Sequence, residues 1–252
     1  MSQERTEGLV LRGVDFSNTS RIVTFLTPDR GRLACMAKGA RRARSPFAGV
    51  LDTFNRVELV YYWKEGRGVQ QLAEVAPLNT FGLVKSDLEK ATFAAVPIEL
   101  AGKIAHENEP SAMLYERVVS GLDTLGRWSS GVLTHVCWQV FHLLAVAGFE
   151  PTLTACVHCG GRIDKPAGFA YEGGVVCRSC AYRVRDGQNA DSTYVKLNQA
   201  DYEALRNLAG HPRTCPQVRV SEDVFGWLCG YALHHIDGDL RSVRVVREIL
   251  GM

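Results

Sequence analysis

Near Pro77 the apolar residues of this 252-residue chain change their spacing, and that change fixes the fold class. Before it, short runs rich in Val, Leu, Ile and aromatics are separated by turn residues: "GLVLRGV" from Gly8, "RIVTFLT" from Arg21, "GRLACMAKG" from Gly31, "RVELVYYW" from Arg56 and "VQQLAEVAP" from Val69. "TPDRG" (27–31) and "KEGRG" (64–68) have the composition of hairpin turns. In the fourth run Val57, Leu59, Tyr61 and Trp63 alternate with Glu58, Val60, Tyr62 and Lys64, as one buried strand face requires. After Pro77 the period becomes three to four. Val84, Leu88, Ala91, Ala95, Ile98, Ala101 and Ala105 form a helical stripe, which Pro97 is expected to kink or restart. Pro110-Ser111 opens a second helix, and Ser129-Ser130 is expected to cap a long apolar third that Gly148 closes. Three more helices follow, over 198–210, 221–236 and 239–250, the middle one capped by Ser221.

The expected fold class is therefore α+β and multidomain. Five short strands in about eighty residues suit a small barrel, and the five-stranded Greek-key barrel of the OB type is a common way to remove sheet edges. Residues 1–80 are expected to form that barrel, and residues 81–252 an α-helical domain with a cysteine-bearing insertion at 154–184.

The insertion contains Cys156-x-x-Cys159 and Cys177-x-x-Cys180. The chain opens without the apolar run of a secretory signal, and no stretch reaches the roughly 18 apolar residues of a membrane span. A cytoplasmic protein is expected, and in that reducing setting paired thiols more often bind metal than form disulfides. The spacing is that of a two-knuckle zinc site, each pair placing two thiolates on one tight turn. "GFAYEGGVVC" between the knuckles reads as a hairpin turning at Glu172-Gly173-Gly174, which would close the four sulfurs around one ion. A redox pair would open a helix after a strand in a βαβ unit, and no such unit is visible. Cys35, Cys137, Cys215 and Cys229 lack metal spacing and read as packing residues. Four thiolates leave no open position on the metal, so the zinc is expected to be structural. A hairpin of about 25 residues is too small to fold on burial alone, and structural zinc supplies that free energy.

The motif search finds no enzyme. Gly102-Lys103-Ile104 lacks the Ser or Thr and the upstream Gly of a phosphate loop, and neither Gly-x-Ser-x-Gly nor His-Glu-x-x-His occurs. His234 and His235 are adjacent, so they point to different helix faces.

Charge is uneven. Net charge is only +2, yet residues 1–80 carry 12 Lys/Arg against 8 Asp/Glu. Arg30, Arg32, Lys38, Arg41, Arg42 and Arg44 fall within residues 30–49, where there is no acid. Gly39, Ser45 and Pro46 make the middle of this stretch a flexible loop between strands. Two readings stand: a surface for nucleic-acid phosphates, with Phe16, Phe47, Phe54, Tyr61, Tyr62 and Trp63 nearby as stacking platforms, or a solvated loop beside barrel-core rings. Arg241, Arg244 and Arg247 recur every three residues near the C-terminus. They are either a solvated face or a secondary basic strip for DNA or an acidic peptide.

The order of barrel, helical body and "LLAVAGFEPTLTACVHCGG" resembles the RecO family of bacterial recombination mediators. "AKGARRARS" is similar to that family's basic loop, and "GFEPTL" running into Cys156 and Cys159, then Cys177 and Cys180, to its zinc insertion. The resemblance implies an OB fold that binds single- and double-stranded DNA and anneals complementary strands in DNA repair. It implies cooperation with RecR and with the tail of single-stranded-DNA-binding protein, so that RecA is loaded on coated DNA, and a nucleoid-associated place in the cytoplasm. No membrane and no catalytic residue enter this account. The alternative is a zinc-stapled adaptor that grips acidic peptides and has little DNA affinity of its own.

Overall fold

A strand that buries one face must turn every second side chain to the core, as residues 31–37 do strictly, while residues 23–27 are buried throughout; the first eighty residues hold both patterns. In the computed structural model, which describes residues 2–185 and 194–252, they form β1 (Ser2–Asp15), β2 (Arg21–Thr27), β3 (Gly31–Ala37), β4 (Arg56–Trp63) and β5 (Gln70–Asn79). The strands close into a barrel in the order β1-β2-β3-β5-β4. Every pairing is antiparallel except β3 with β5, which is parallel and held at only two positions, Cys35↔Gln70 and Met36↔Gln71. Val57, Leu59 and Tyr61 point inward, meeting Val10, Val23, Phe25 and Leu33. Both expected hairpin turns are present, at 28–30 and 64–69. Gly31 has φ +58°, and a Cβ there would stand 2.3 Å from the Glu109 carbonyl oxygen, so the β2–β3 turn needs glycine.

The β3–β4 connection is more ordered than its composition implies. Residues 38–54 form consecutive turns, with Arg42 N–H donating to the Gly39 carbonyl, Ser45 to Arg42 and Ala48 to Ser45. Phe47 and Leu51 are buried with the barrel core, and the Asn55 side-chain amide donates to the carbonyls of Gly49 and Val50. The expected flexible loop is thus a pinned one, because Phe47 and Leu51 reach back into the core. Leu51→Ala is expected to cost about 2–5 kcal/mol, read as a lowered denaturation midpoint.

Helices follow: α1 (Gly82–Lys85), α2 (Leu88–Ile104), α3 (Ala112–Arg127) and α4 (Val132–Val146). The single stripe expected from Val84 is two helices. Asp87 in extended conformation caps α2 by accepting from Lys90 N–H at 3.1 Å, which ends α1 just before it. Pro97 lies inside a continuous α2. Gly131 stands at the N-cap of α4 and offers no side-chain cap, and Ser130 instead donates to Gln217. The chain continues through β6 (Gly168–Ala170), β7 (Gly174–Val176), α5 (Arg178–Arg185), β8 (Tyr194–Lys196), α6 (Gln199–Gly210), α7 (Glu222–His235) and α8 (Arg241–Leu250). Ser221 caps α7 as expected.

By packing, residues Met1–Ala91 and Ala101–Arg127 make one compact unit, and Thr92–Leu100 with Trp128–Met252 a second. The first unit so takes in helical residues beyond the barrel expected over 1–80. In the second, α4 is buried all round, with Val136, Trp138, Phe141 and Leu144 at or near zero exposure. Two of its polar side chains are tied to carbonyls: Trp138 Nε1 donates to His211 at 2.7 Å and Thr134 Oγ1 to Val218 at 2.9 Å. Glu99 caps α8, accepting from the backbone N–H of Arg241 and Ser242 and from the Ser242 hydroxyl at 2.6–3.1 Å. Glu99→Ala is expected to destabilise the second unit by about 1 kcal/mol, the usual worth of a lost N-terminal cap, seen as a small fall in melting temperature.

Candidate metal centre and nucleic-acid interface

The two knuckles are built from local chain reversals. After Cys156 the chain turns through Val157-His158, and Gly160 at φ +71° returns its N–H to the Cys156 carbonyl at 2.8 Å. The second knuckle follows β7 directly, so that Cys177 ends the hairpin and Cys180 sits in the first turn of α5. The β6–β7 hairpin, with Gly173 and Gly174 at its turn, brings the knuckles together, as the spacing predicts. Gly174 has no room for a side chain, since a Cβ there would lie 2.2 Å from the Thr152 carbonyl oxygen.

All four sulfurs lie within 4.8 Å of one another. Cys159 Sγ and Cys177 Sγ are 3.9 Å apart, close to the roughly 3.8 Å edge of a tetrahedron with 2.3 Å metal–sulfur bonds. The N–H of Cys177 points at Cys156 Sγ at 3.4 Å, and that of Cys180 at Cys177 Sγ at 3.5 Å. Burial works to raise the Cys156 thiol, but the backbone N–H groups of Cys177, Cys159 and His158 overcome it and bring it down to about 6. Cys180 is pushed up to about 12, by burial and by its contacts with the three neighbouring sulfurs. A cluster that makes one thiolate easily and resists the next has the electrostatics of a cation site, and the residues fit a metal ion. Among the described residues this is the one group of three or more His, Cys, Asp or Glu side chains placed to hold a metal. Behind it, the Tyr202 hydroxyl donates to the Leu153 carbonyl at 2.7 Å, and Tyr231 packs on Phe169 with ring centroids 5.5 Å apart. Nothing in the spacing of Tyr202 or Tyr231 marks these anchors.

The six cations of residues 30–44 divide into two groups. Arg30 reaches back to Glu4 at 2.9 Å and lies 4.3 Å over the Trp63 ring. Although burial acts to raise it, the Glu4 carboxyl is held below its usual range by hydrogen bonds from Arg30 and Tyr61. Arg32 donates to the Gly102 carbonyl at 3.3 Å and pairs with Glu107 at 3.5 Å. Arg41 pairs with Asp15 at 3.2 Å and donates to the Ser17 carbonyl at 2.8 Å. Lys38, Arg42 and Arg44 are exposed and have no ion pair with any described residue. The segment has no acid of its own, but Glu4, Asp15 and Glu107 come to it from elsewhere in the chain.

The rings separate in the same way. Phe47, Phe54 and Tyr61 are buried, which removes them as platforms, while Phe16 is 61% exposed and Tyr62 40%. At the C-terminus Arg241, Arg244 and Arg247 are all exposed on α8, with Arg244 paired to Asp239. Val243 and Val246 are buried, but Val245 and Ile249 are not.

Residues 1–81 match the family model of the recombination protein O N terminal, and residues 85–241 that of the recombination protein O C terminal. The chain belongs to the RecO family. It is similar to the DNA repair protein RecO of Anaeromyxobacter dehalogenans (strain 2CP-1 / ATCC BAA-258), with 31% identity over 99% of this chain and 98% of the relative. It is likewise similar to that of Thermobifida fusca (strain YX), with 30% identity over 98% and 100%, and to that of Exiguobacterium sibiricum, with 31% over 99% and 98%. Both RecO family regions are present, and the four-cysteine cluster lies within the C-terminal one. No helix among the described residues is long and apolar enough to cross a membrane.

Proposed function

We propose that this RecO-family chain is a DNA-binding recombination mediator in DNA repair. The five-stranded barrel is read as an OB fold, and the β3–β4 connection as its main phosphate-binding surface. The observation that carries the reading is the separation of Lys38, Arg42 and Arg44 from the three arginines already engaged. An unpaired exposed cation breaks no ion pair when it moves onto a phosphate, whereas a paired one must first give up its carboxylate. They stand on a backbone fixed by Phe47 and Leu51, so binding loses little loop entropy.

Bringing two complementary strands together is opposed by the charge of their phosphates, and cations that neutralise phosphate lower that opposition. No bond is made or broken, so the reading needs no catalytic residue. The four cysteines are read as the ligands of one structural zinc, which supplies closure of the insertion and no chemistry. Through the family, the partners proposed are single- and double-stranded DNA, RecR and the tail of single-stranded-DNA-binding protein, with RecA loaded in consequence and the cytoplasmic nucleoid as the place of action. Fluorescence anisotropy on labelled strands across a salt series tests this. At least three phosphate contacts predict that log K falls against log salt more steeply than about −2.7 on duplex, and a flat dependence would refute the reading.

A second reading rests on α8, where three exposed arginines stand beside exposed Val245 and Ile249. That pattern suits an acidic peptide with apolar side chains, and makes the chain an adaptor. Tight peptide binding by a chain with no measurable DNA affinity would favour it.

A further inference from the structure

We propose that the cleft between β3 and the β4–β5 hairpin holds one unstacked base of a single strand, with an adjoining phosphate on Arg67. This rests on the DNA-binding reading and goes further, since it names the state of the DNA that the barrel distinguishes. The cleft arises from the barrel's weak seam. β5 meets β3 only at Cys35 and Met36, and before them only the segment at Glu107 pairs with β3 on that side, at Gly31 and Arg32, so that Ala34 lies in a gap between the two. Arg32 N–H points away from β2, to the His106 carbonyl at 3.0 Å. Two residues on, Ala34 N–H takes the same direction, into the cleft.

The opening measures about 240 Å³ and is lined by Trp63 and Arg67 on one side and Arg32, Ala34 and Glu107 on the other. That exceeds the ~150 Å³ of an engineered cavity that holds benzene, and so leaves room for one flat group. Its walls are fixed in advance. The buried Gln70 side chain accepts from Lys64 N–H at 2.9 Å and donates to the carbonyls of Arg67 at 2.7 Å and Lys64 at 3.2 Å, which sets the hairpin tip. Trp63 is held by the Arg30 guanidinium, itself anchored on Glu4. Glu107 is engaged by Arg32, which leaves Arg67, exposed and without an ion pair to a described residue, as the free charge at the rim. An indole ring, an aimed backbone donor and one free guanidinium match a base and its phosphate. A paired base stays in its stack and cannot enter.

The test compares an oligothymidylate, the same strand made abasic, and a blunt duplex, each by anisotropy. Wild-type protein is expected to bind the abasic strand roughly 5- to 100-fold more weakly than the intact one, the worth of one base–aromatic stack. Trp63→Leu should lose the same factor on the intact strand and leave the duplex unchanged, and Arg67→Ala should weaken the single strand in part. Trp63→Phe should restore binding while removing the tryptophan fluorescence quenching that the strand causes. The abasic comparison needs no variant, so a Trp63→Leu chain that fails to fold does not protect the proposal. Equal affinity for intact and abasic strands overturns the base pocket and leaves the Lys38, Arg42 and Arg44 surface standing. Wild-type protein that binds neither strand nor duplex overturns both. Protection of the Ala34 amide from exchange by an acidic peptide, and not by oligonucleotide, would give the cleft to a peptide strand and also overturn it.

Discussion

Replacing Cys156 with serine is expected to empty the metal site and unfold the insertion over residues 154–184. The hairpin around the four sulfurs has strands of only three residues, β6 and β7, and its buried apolar side chains are few: Ile163, Phe169, Val175 and Val176 among them. So small a core does not offset the entropy of ordering its own chain. Structural zinc contributes an apparent ~10–16 kcal/mol at neutral pH, as large as the ~5–15 kcal/mol stability of a typical domain. Serine removes the sulfur toward which the N–H of Cys177 points, so the second knuckle loses its tie to the first as well as a ligand. The effect should spread to α6 and α7, because Tyr202 and Tyr231 lean on the module through Leu153 and Phe169. A colorimetric zinc assay should find one ion per wild-type chain and none in the variant, and limited proteolysis should cut the variant between 154 and 184. A variant that keeps its ion, or loses it with no new cleavage, would contradict a structural role.

The second large effect is expected from Lys38→Glu/Arg42→Glu/Arg44→Glu. All three side chains are exposed and unpaired among the described residues, so the melting temperature should not move. The salt slope on duplex should flatten by about 2.7, at 0.9 per lost phosphate contact, and reversal adds repulsion at low salt. Arg30→Ala is the contrasting variant. It leaves Glu4 without its ion pair and removes the cation from one face of the Trp63 ring, so its cost should appear in stability while the salt slope on duplex stays in place. Were the two variants to behave alike on duplex, the division of the six cations would carry no meaning.

Much of this was legible in the sequence, because much of it is local. Strand alternation, hairpin turns, the Ser221 cap and the cysteine spacing are each written within a few residues, and each appears where the spacing puts it. The separation of free from engaged cations is not local. It depends on Glu4, Asp15 and Glu107, which the barrel strands and the segment after α2 bring to the basic stretch from 26 to 75 residues away. The same holds for the β3–β4 connection, whose glycine and proline read as flexible, while Phe47 and Leu51 could be seen as anchors only with the barrel closed around them. Helix starts differ from the expected ones where two candidates compete: Asp87 divides the expected first helix, and Ser129-Ser130 yields to Gly131 because Ser130 finds Gln217. The strand β8 and the helix α5 are absent from the expected elements; they are three and eight residues long, with Cys180 inside α5 and β8 paired to β6. Both have too few residues to show a period.

The most direct test of the central claim is strand annealing, followed by energy transfer between labelled complementary oligonucleotides with no nucleotide cofactor present. Wild-type protein should accelerate pairing and return both strands at full length, and Lys38→Glu/Arg42→Glu/Arg44→Glu protein should pair them at the rate of free DNA. Acceleration by the variant equal to that of wild type, or none by either, would contradict the claim that these three cations bring the strands together.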